Sequence, residues 1–276
     1  VNPLVSIVIP NKDHVDDLDK CIKSILKRSD YKNIEFIIIE NNSEEERTFK
    51  YYNKIQQEND NIQVVKWNGE FNYSAINNYG VTFAKGEYLL FLNNDTEMIT
   101  STAINELLGC CMREDVGAVG AKLLYPDDTV QHAGVVIGFG GYAGHVNMGI
   151  GRDDYGYMVR ARINCNYSAV TAACMMTKKE LFEQVGGFDE QFVVACNDVD
   201  YCLKLRNIDK WVVYDAFSEW YHYESKSRGY EDTPEKLKRF EGEVEKFQKK
   251  WPEILEKGDP FYNPNFPINR APFTLG

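Results

Sequence analysis

Leu4-Val-Ser-Ile-Val-Ile-Pro-Asn-Lys-Asp13 is the stretch on which the fold turns, an uncharged apolar run that stops at a proline and then turns polar. Such a β-branched run suits a strand buried on both faces, the setting of a parallel sheet. A helix follows it. Val15, Leu18, Ile22, Ile25 and Leu26 share one face, with Asp16 and Asp17 in the first turn and Lys27 and Arg28 in the last, as the macrodipole favours. The alternation then repeats. Glu35 to Ile39 reads as a strand, Glu44 to Glu58 as a polar helix, Ile62 to Lys66 as a strand, Tyr73 to Ala84 as a helix and Glu87 to Leu92 as a strand. Repeated strand and helix with short connections predicts an α/β chain, with a mostly parallel central sheet and flanking helices. Ligands of such sheets sit at the C-terminal ends of the strands.

The second half is less regular. Gly134 to Gly151 is glycine-rich with little periodicity, which predicts a mobile loop. Ala169 to Thr177 is strand-like, Lys179 to Val185 a short helix, Asp198 to Arg206 a helix, Trp211 to Tyr214 a strand and Thr233 to Trp251 a long charged helix ended by Pro252. No internal repeat or low-complexity linker breaks the chain, so one continuous domain is expected.

A length of 276 residues at 43% hydrophobic content supports a substantial core. No stretch approaches the roughly 20 apolar residues of a membrane-spanning helix, and no signal peptide is recognisable. A soluble, cytoplasmic protein is expected, with peripheral association at the inner face of the membrane as a variant. Val1 stands where a start methionine would, so further domains of a longer chain are also an expectation. A formal charge of -11 excludes the basic surface that a nucleic-acid partner requires. The seven cysteines include the adjacent Cys110 and Cys111 but no CxxC spacing, which reads as reduced thiols.

Polar residues gather where three strands end: Pro10, Asn11 and Asp13 after the first, Glu40, Asn41, Asn42 and Ser43 after the second, and Asn93, Asn94 and Asp95 after Leu92. Any one of them alone is ordinary turn or cap chemistry. Three side by side on one sheet edge make a site. A single His such as His222 is, from spacing alone, more often a plain polar residue than a metal ligand. Asn197, Asp198 and Asp200 would equally serve an ordinary helix start.

Five segments, taken together, carry a resemblance. They are Val5-Ser-Ile-Val-Ile-Pro10, Phe71-Asn-Tyr-Ser-Ala-Ile-Asn-Asn78, Ala84-Lys-Gly-Glu-Tyr-Leu-Leu-Phe-Leu-Asn-Asn-Asp95, Gly186-Gly-Phe-Asp-Glu190 with Asn197-Asp-Val-Asp200, and His222-Tyr-Glu-Ser-Lys-Ser-Arg-Gly229. In order and spacing the chain resembles the family-two inverting nucleotide-sugar glycosyltransferases, which have the A-type glycosyltransferase fold. The resemblance implies a nucleotide-sugar-binding half, about residues 1–125, and an acceptor-binding and catalytic half, about residues 126–276. It implies transfer of a hexose-type sugar from a nucleoside diphosphate, a UDP-sugar, to a hydroxyl of a glycan or glycoprotein.

It also implies roles for residues. Pro10, Asn11, Asp13 and Glu40 fall where the family holds the nucleoside, with Asn42 beside them, and Glu40 stands where the family usually has Asp. Asn77 replaces the family's Arg and precedes Asn78, so a cation near the nucleotide is lost. Asn93-Asn94-Asp95 resembles the DxD metal motif with its first carboxylate turned into an amide, leaving Asp95 as ligand for Mn²⁺ or Mg²⁺. Asp198 maps onto the catalytic base, Asp200 onto a structural role such as holding Arg206 or a loop amide. His222 maps onto a further metal ligand, and Lys226, Ser227 and Arg228 onto a loop that meets the diphosphate. Trp67, Tyr142, Trp220 and Tyr221 are candidates to stack on sugar rings, and Gly138 to Gly144 to shape the acceptor side.

Two rivals use parts of the same pattern. A sugar-phosphate nucleotidyltransferase would need a glycine-rich basic loop after the first strand, where Pro10-Asn-Lys-Asp-His14 has no glycine. A catalytically weak carbohydrate-binding or scaffold module would explain the amides at Asn93 and Asn197, but retention of Asp95, Asp198 and His222 disfavours it.

Overall fold

A computed structural model describes residues 2–223 and 233–274. The first half runs β1 (Val5–Asn11), α1 (Val15–Arg28), β2 (Ile34–Asn41), α2 (Glu46–Glu58), β3 (Ile62–Trp67), α3 (Tyr73–Val81), β4 (Tyr88–Leu92), β5 (Thr96–Met98), α4 (Ala103–Cys111) and β6 (Val116–Leu124). The second runs β7 (Val130–His132), β8 (Val135–Ile137), β9 (Ala143–His145), β10 (Cys165–Tyr167), β11 (Cys174–Lys178), α5 (Lys179–Gln184), α6 (Asn197–Arg206), β12 (Trp211–His222), α7 (Pro234–Lys250) and α8 (Pro252–Lys257).

One ten-stranded sheet spans both halves in the order β10-β12-β6-β11-β4-β1-β2-β3, with β5 pairing β12 and β7 pairing β6. β3, β2, β1 and β4 are parallel, as are β6 and β12, and β11 runs antiparallel between the two groups. Helices cover both faces, and β1 shows why. Val8 joins the core beneath α3 and α6, while Val5, Ile7 and Ile9 join the core beneath α1 and α4. A strand that feeds two cores has no polar face to spare. The tips of β1, β2 and β4 therefore emerge together at one edge, where Asn11 pairs Glu40 in register.

Two expectations for the second half change. Gly134 to Gly151 holds the β8–β9 hairpin, whose Val135, Val136 and Ile137 are buried, as is Val146 just after it. The glycines serve close packing: a side chain at Gly134, φ 104°, would collide with the Tyr167 ring. The strand expected to end at Tyr214 runs on to His222 through a register shift between Asp215 and Glu219. The fully buried Asp215 accepts from the N–H groups of Phe217 (2.9 Å) and Ser218 (3.1 Å), forming the bulge, after which burial alternates strictly up to His222. A buried staple fixes this second stretch: Lys122 reaches Glu219 (3.2 Å), which also pairs with Arg152 (2.6 Å).

All seven cysteines are free. Burial pushes the Cys21 and Cys111 thiols up to about 12, so they pack as small hydrophobes. Among the described residues no helix is long and apolar enough to cross a membrane.

Candidate active site

A cleft of about 610 Å³ opens at the strand tips and is lined by Asn42, Asn93, Asn94, Asp95, Asp198 and His222 together with Lys12, Asn41, Phe71, Tyr73, Thr171, Ala172, Ala173, Val194 and Asn197. Residues from opposite ends of the chain, Lys12 and His222, thus share one space. β4 ends at Leu92, and the Asn93 N–H bonds to the Ala173 carbonyl at the head of β11 (3.0 Å), which joins the two halves at the floor.

The nucleotide side is organised by a chain of polar groups. Asn94 Nδ2 donates to Asn11 Oδ1 (2.7 Å), Asn11 Nδ2 donates to the Tyr52 hydroxyl (2.7 Å), and that hydroxyl donates to Glu40 Oε2 (2.8 Å). Glu40 also receives the Ser43 N–H and hydroxyl, both at 2.6 Å. The network ties the tips of β1, β2 and β4 together, and full satisfaction of its buried members makes it rigid. Asn11 and Glu40 are therefore brought beside the cleft as its support and do not line it. Asp13 caps α2 through the N–H groups of Glu44 and Glu45 and the Thr48 hydroxyl. Burial alone would raise its carboxyl, but those three donors outweigh it and hold the group below its ordinary value. Pro10 pairs Ile39 within β1 and does not line the cleft.

Asn77 and Asn78 point elsewhere. Asn77 is fully buried on α3 and donates to the Tyr73 carbonyl. Asn78 clamps the following loop, donating to the Phe188 carbonyl and Glu190 and accepting from the Phe188 N–H. Lys12 is the lysine that lines the cleft among the described residues. Lys226, Ser227 and Arg228 lie outside the described residues.

His222 Nε2 sits 3.3 Å from Asp95 Oδ1 and 3.1 Å from Asn93 Nδ2, while its Nδ1 meets Gln131 Oε1 at 2.6 Å. The amide oxygen of Gln131 can only accept, so Nδ1 donates to it and the Nε2 edge of the ring turns towards Asp95. A ring nitrogen and a carboxylate oxygen facing each other at this distance form a donor pair that a divalent cation could use, with the second ring nitrogen fixed from behind. No group of three or more His, Cys, Asp or Glu side chains gathers among the described residues. The pair suits an ion whose remaining ligands are diphosphate and water oxygens.

Asp198 opens α6. Its Oδ2 accepts from the Ala172 N–H (3.0 Å) and its Oδ1 from the Val199 N–H (2.8 Å), so each oxygen keeps a lone-pair direction to spare. Val199, Cys202 and Leu203 anchor the helix. Asp200 is fully buried, and its side chain meets Lys250 (2.7 Å) and the Trp251 indole N–H (2.8 Å) on the C-terminal elements. Arg206 instead lies over the Phe261 ring.

Of the expected sugar stackers, Trp220 is core, Trp67 packs on Tyr79, Tyr221 bonds to Asp128 and Tyr142 packs on Phe240. The aromatics that line the cleft are Phe71 and Tyr73. Both belong to the Phe71 to Asn78 segment already singled out, and the exposed Phe71 in a turn was the signal.

The chain matches the profile of Glycosyl transferase family 2 over residues 6–186, which takes in the whole β1 to β4 edge and β11. It belongs to that family. Over 274 residues, 99% of its length, the family 2 chain is 43% identical to the uncharacterized protein y4gI of Sinorhizobium fredii. Over 270 residues, 96% of its length, it is 38% identical to the O-antigen biosynthesis protein RfbC of Myxococcus xanthus. It spans 30% and 20% of those two proteins. In three dimensions it resembles GalNAc-T7, solved with UDP, GalNAc and Mn²⁺, at a TM-score of 0.71 and 14% identity, covering 91% of this chain and 52% of that one. That likeness is one of fold, and it is the A-type glycosyltransferase arrangement.

Proposed function

We propose that this domain is an inverting, divalent-metal-dependent glycosyltransferase that moves a hexose-type sugar from a UDP-sugar to a hydroxyl of a glycan or glycoprotein. The observation that carries the reading is one cleft holding both an Asp95–His222 pair and, across from it, Asp198. Asn42, Asn93, Asn94 and Lys12 hold the donor on the β1 to β4 side, and the acceptor enters against Val194 and Asn197. Asp198 takes the acceptor hydroxyl's proton as that oxygen forms its bond to the anomeric carbon and the bond to the diphosphate breaks. One displacement inverts the configuration. A divalent ion held by Asp95 and His222, Mn²⁺ or Mg²⁺, supplies neutralisation of the leaving diphosphate. Support for the metal and the uridine nucleotide comes from GalNAc-T7, which was solved with UDP and Mn²⁺. Support for a glycan acceptor comes from the O-antigen biosynthesis protein.

Thermal melting with UDP, GDP, Mn²⁺ and each nucleotide–metal combination tests the reading. A ligand at 100 times its Kd adds about 2.7 kcal/mol to stability, and Mn²⁺ with UDP should exceed the sum of the two alone. A melting temperature no higher with both than with either one refutes the coupled site. A screen of UDP-sugars for Mn²⁺-dependent UDP release then names the sugar.

A further inference from the structure

α7 lies outside the cleft, yet it grips the loop that leads into Asp198. Glu243 on this helix is 2% exposed. Its Oε1 accepts from the N–H groups of Val193 (2.5 Å) and Val194 (2.9 Å), and its Oε2 from that of Ala195 (3.0 Å). Three consecutive amides turned onto one carboxylate form a backbone concavity for an anion, filled here from within the chain. The other side of the loop is held as well. The Val193 carbonyl accepts from the Tyr73 N–H (2.8 Å), the Phe192 carbonyl from the Ser74 hydroxyl (2.6 Å) and the Val194 carbonyl from Asn197 Nδ2 (2.8 Å). Cys196 then turns through a left-handed φ of 63°, and α6 starts at Asn197.

The same helix holds the flanks. Lys250 pairs with Asp189 (2.5 Å) before the loop and with Asp200 (2.7 Å) after it. A buried carboxylate is costly unless its oxygens are bonded, and an apolar side chain here would leave three amides without an acceptor. We infer that Glu243 is a positioning residue for the transfer step: by fixing the turn at 193–195 it sets where Asp198 stands in the cleft. The inference rests on the reading of Asp198 as the base. Donor residues on β1, β2 and β4 belong to separate elements, so Glu243 governs the rate at saturation and leaves donor affinity alone.

Glu243→Gln is the decisive variant, since it keeps size and helix propensity. Its one carbonyl oxygen holds part of the turn while its NH₂ opposes the remaining N–H. Two measurements are made on it: hydrogen exchange of the peptide spanning 190–200, and kcat and KM for Mn²⁺-dependent turnover of the UDP-sugar found in the screen, with Mn²⁺–UDP affinity by calorimetry. Exchange at 193–195 should rise at least about ten-fold. The kcat should fall about ten- to hundred-fold, as displacement of a reacting group by an ångström costs, with Kd for Mn²⁺–UDP within about two-fold of wild type. Glu243→Asp, which keeps both oxygens on a shorter stem, should recover part of the rate. Unchanged exchange, or faster exchange with wild-type kcat, overturns the inference. So does a parallel loss of kcat and Mn²⁺–UDP affinity, which would mark general damage. The base reading fails separately: an active Asp198→Asn removes it whatever Glu243→Gln does to exchange.

Discussion

Asp198→Asn is the sharpest test of the chemistry, because the structure lets its two effects be separated. The carboxylate accepts one N–H on each oxygen, from Ala172 and from Val199. Asparagine keeps one carbonyl oxygen, so one of those bonds survives and the new NH₂ faces the other donor. A bond to a charged acceptor is worth about 1.5–3 kcal/mol, and partial exposure of this side chain brings the expected loss to about 1 kcal/mol. For a chain of this size that lowers the melting temperature by about 2 °C. A native stability of about 5–15 kcal/mol then leaves far less than a hundredth of the protein unfolded. Any large loss of rate is therefore chemical. General-base catalysis contributes about 10²–10⁴-fold, or about 3–5 kcal/mol of barrier. UDP release at saturating donor, acceptor and Mn²⁺ should fall by that factor, with Mn²⁺–UDP affinity near wild type. Asp200→Asn is the comparison variant, since Asp200 faces Lys250 and Trp251 and does not line the cleft: it should lower stability and cost less rate than Asp198→Asn. Asp198→Asn turning over within about three-fold of wild type would refute the assignment.

The metal pair makes its own prediction: Asp95→Ala and His222→Ala should each lose the Mn²⁺-dependent part of UDP binding by calorimetry while keeping the melting temperature without ligands within a few degrees. A His222→Ala enzyme with full metal-dependent turnover would leave Asp95 as the sole ligand. Asp13 predicts a pH dependence. Its folded pKa is depressed, so its contribution is present above the ordinary carboxylate value and is lost as pH falls through the lowered one. Asp13→Asn should accordingly destabilise the protein at pH 7 and converge with wild type in acid melts. A constant gap between the two across pH would remove the capping account.

The stretch from β1 to β4 was legible because β1, β2 and β4 are almost wholly buried and its helices are buried on one face, whereas β5, α4 and β6 were not anticipated. An uninterrupted apolar run such as Val5 to Ile9 has few other places to go, and the 3.6-residue spacing of Leu18, Ile22 and Ile25 has a single helical reading. The polar tips followed from the strand ends. The second half hid more. The strand carrying His222 was read only as far as Tyr214, and the Asp215 bulge and the Lys122–Glu219–Arg152 staple carry it onward.

Sequence alone determined which residues could do chemistry: Asp95, Asp198 and His222 stand in the order and spacing of the family's motifs, and amides and carboxylates gather at the strand ends. Tertiary structure decided which of them face the cleft. Asn11, Asp13, Glu40 and Asn78 have the right chemistry, but their hydrogen-bonding groups are engaged by Tyr52, Ser43, the α2 backbone and the 188–190 loop. Gln131 and Glu243 carried no local signal at all. Their effect depends on partners 91 and 48 to 50 positions away in the chain, and contacts closed over such distances are set by packing of whole elements, which short-range periodicity does not encode.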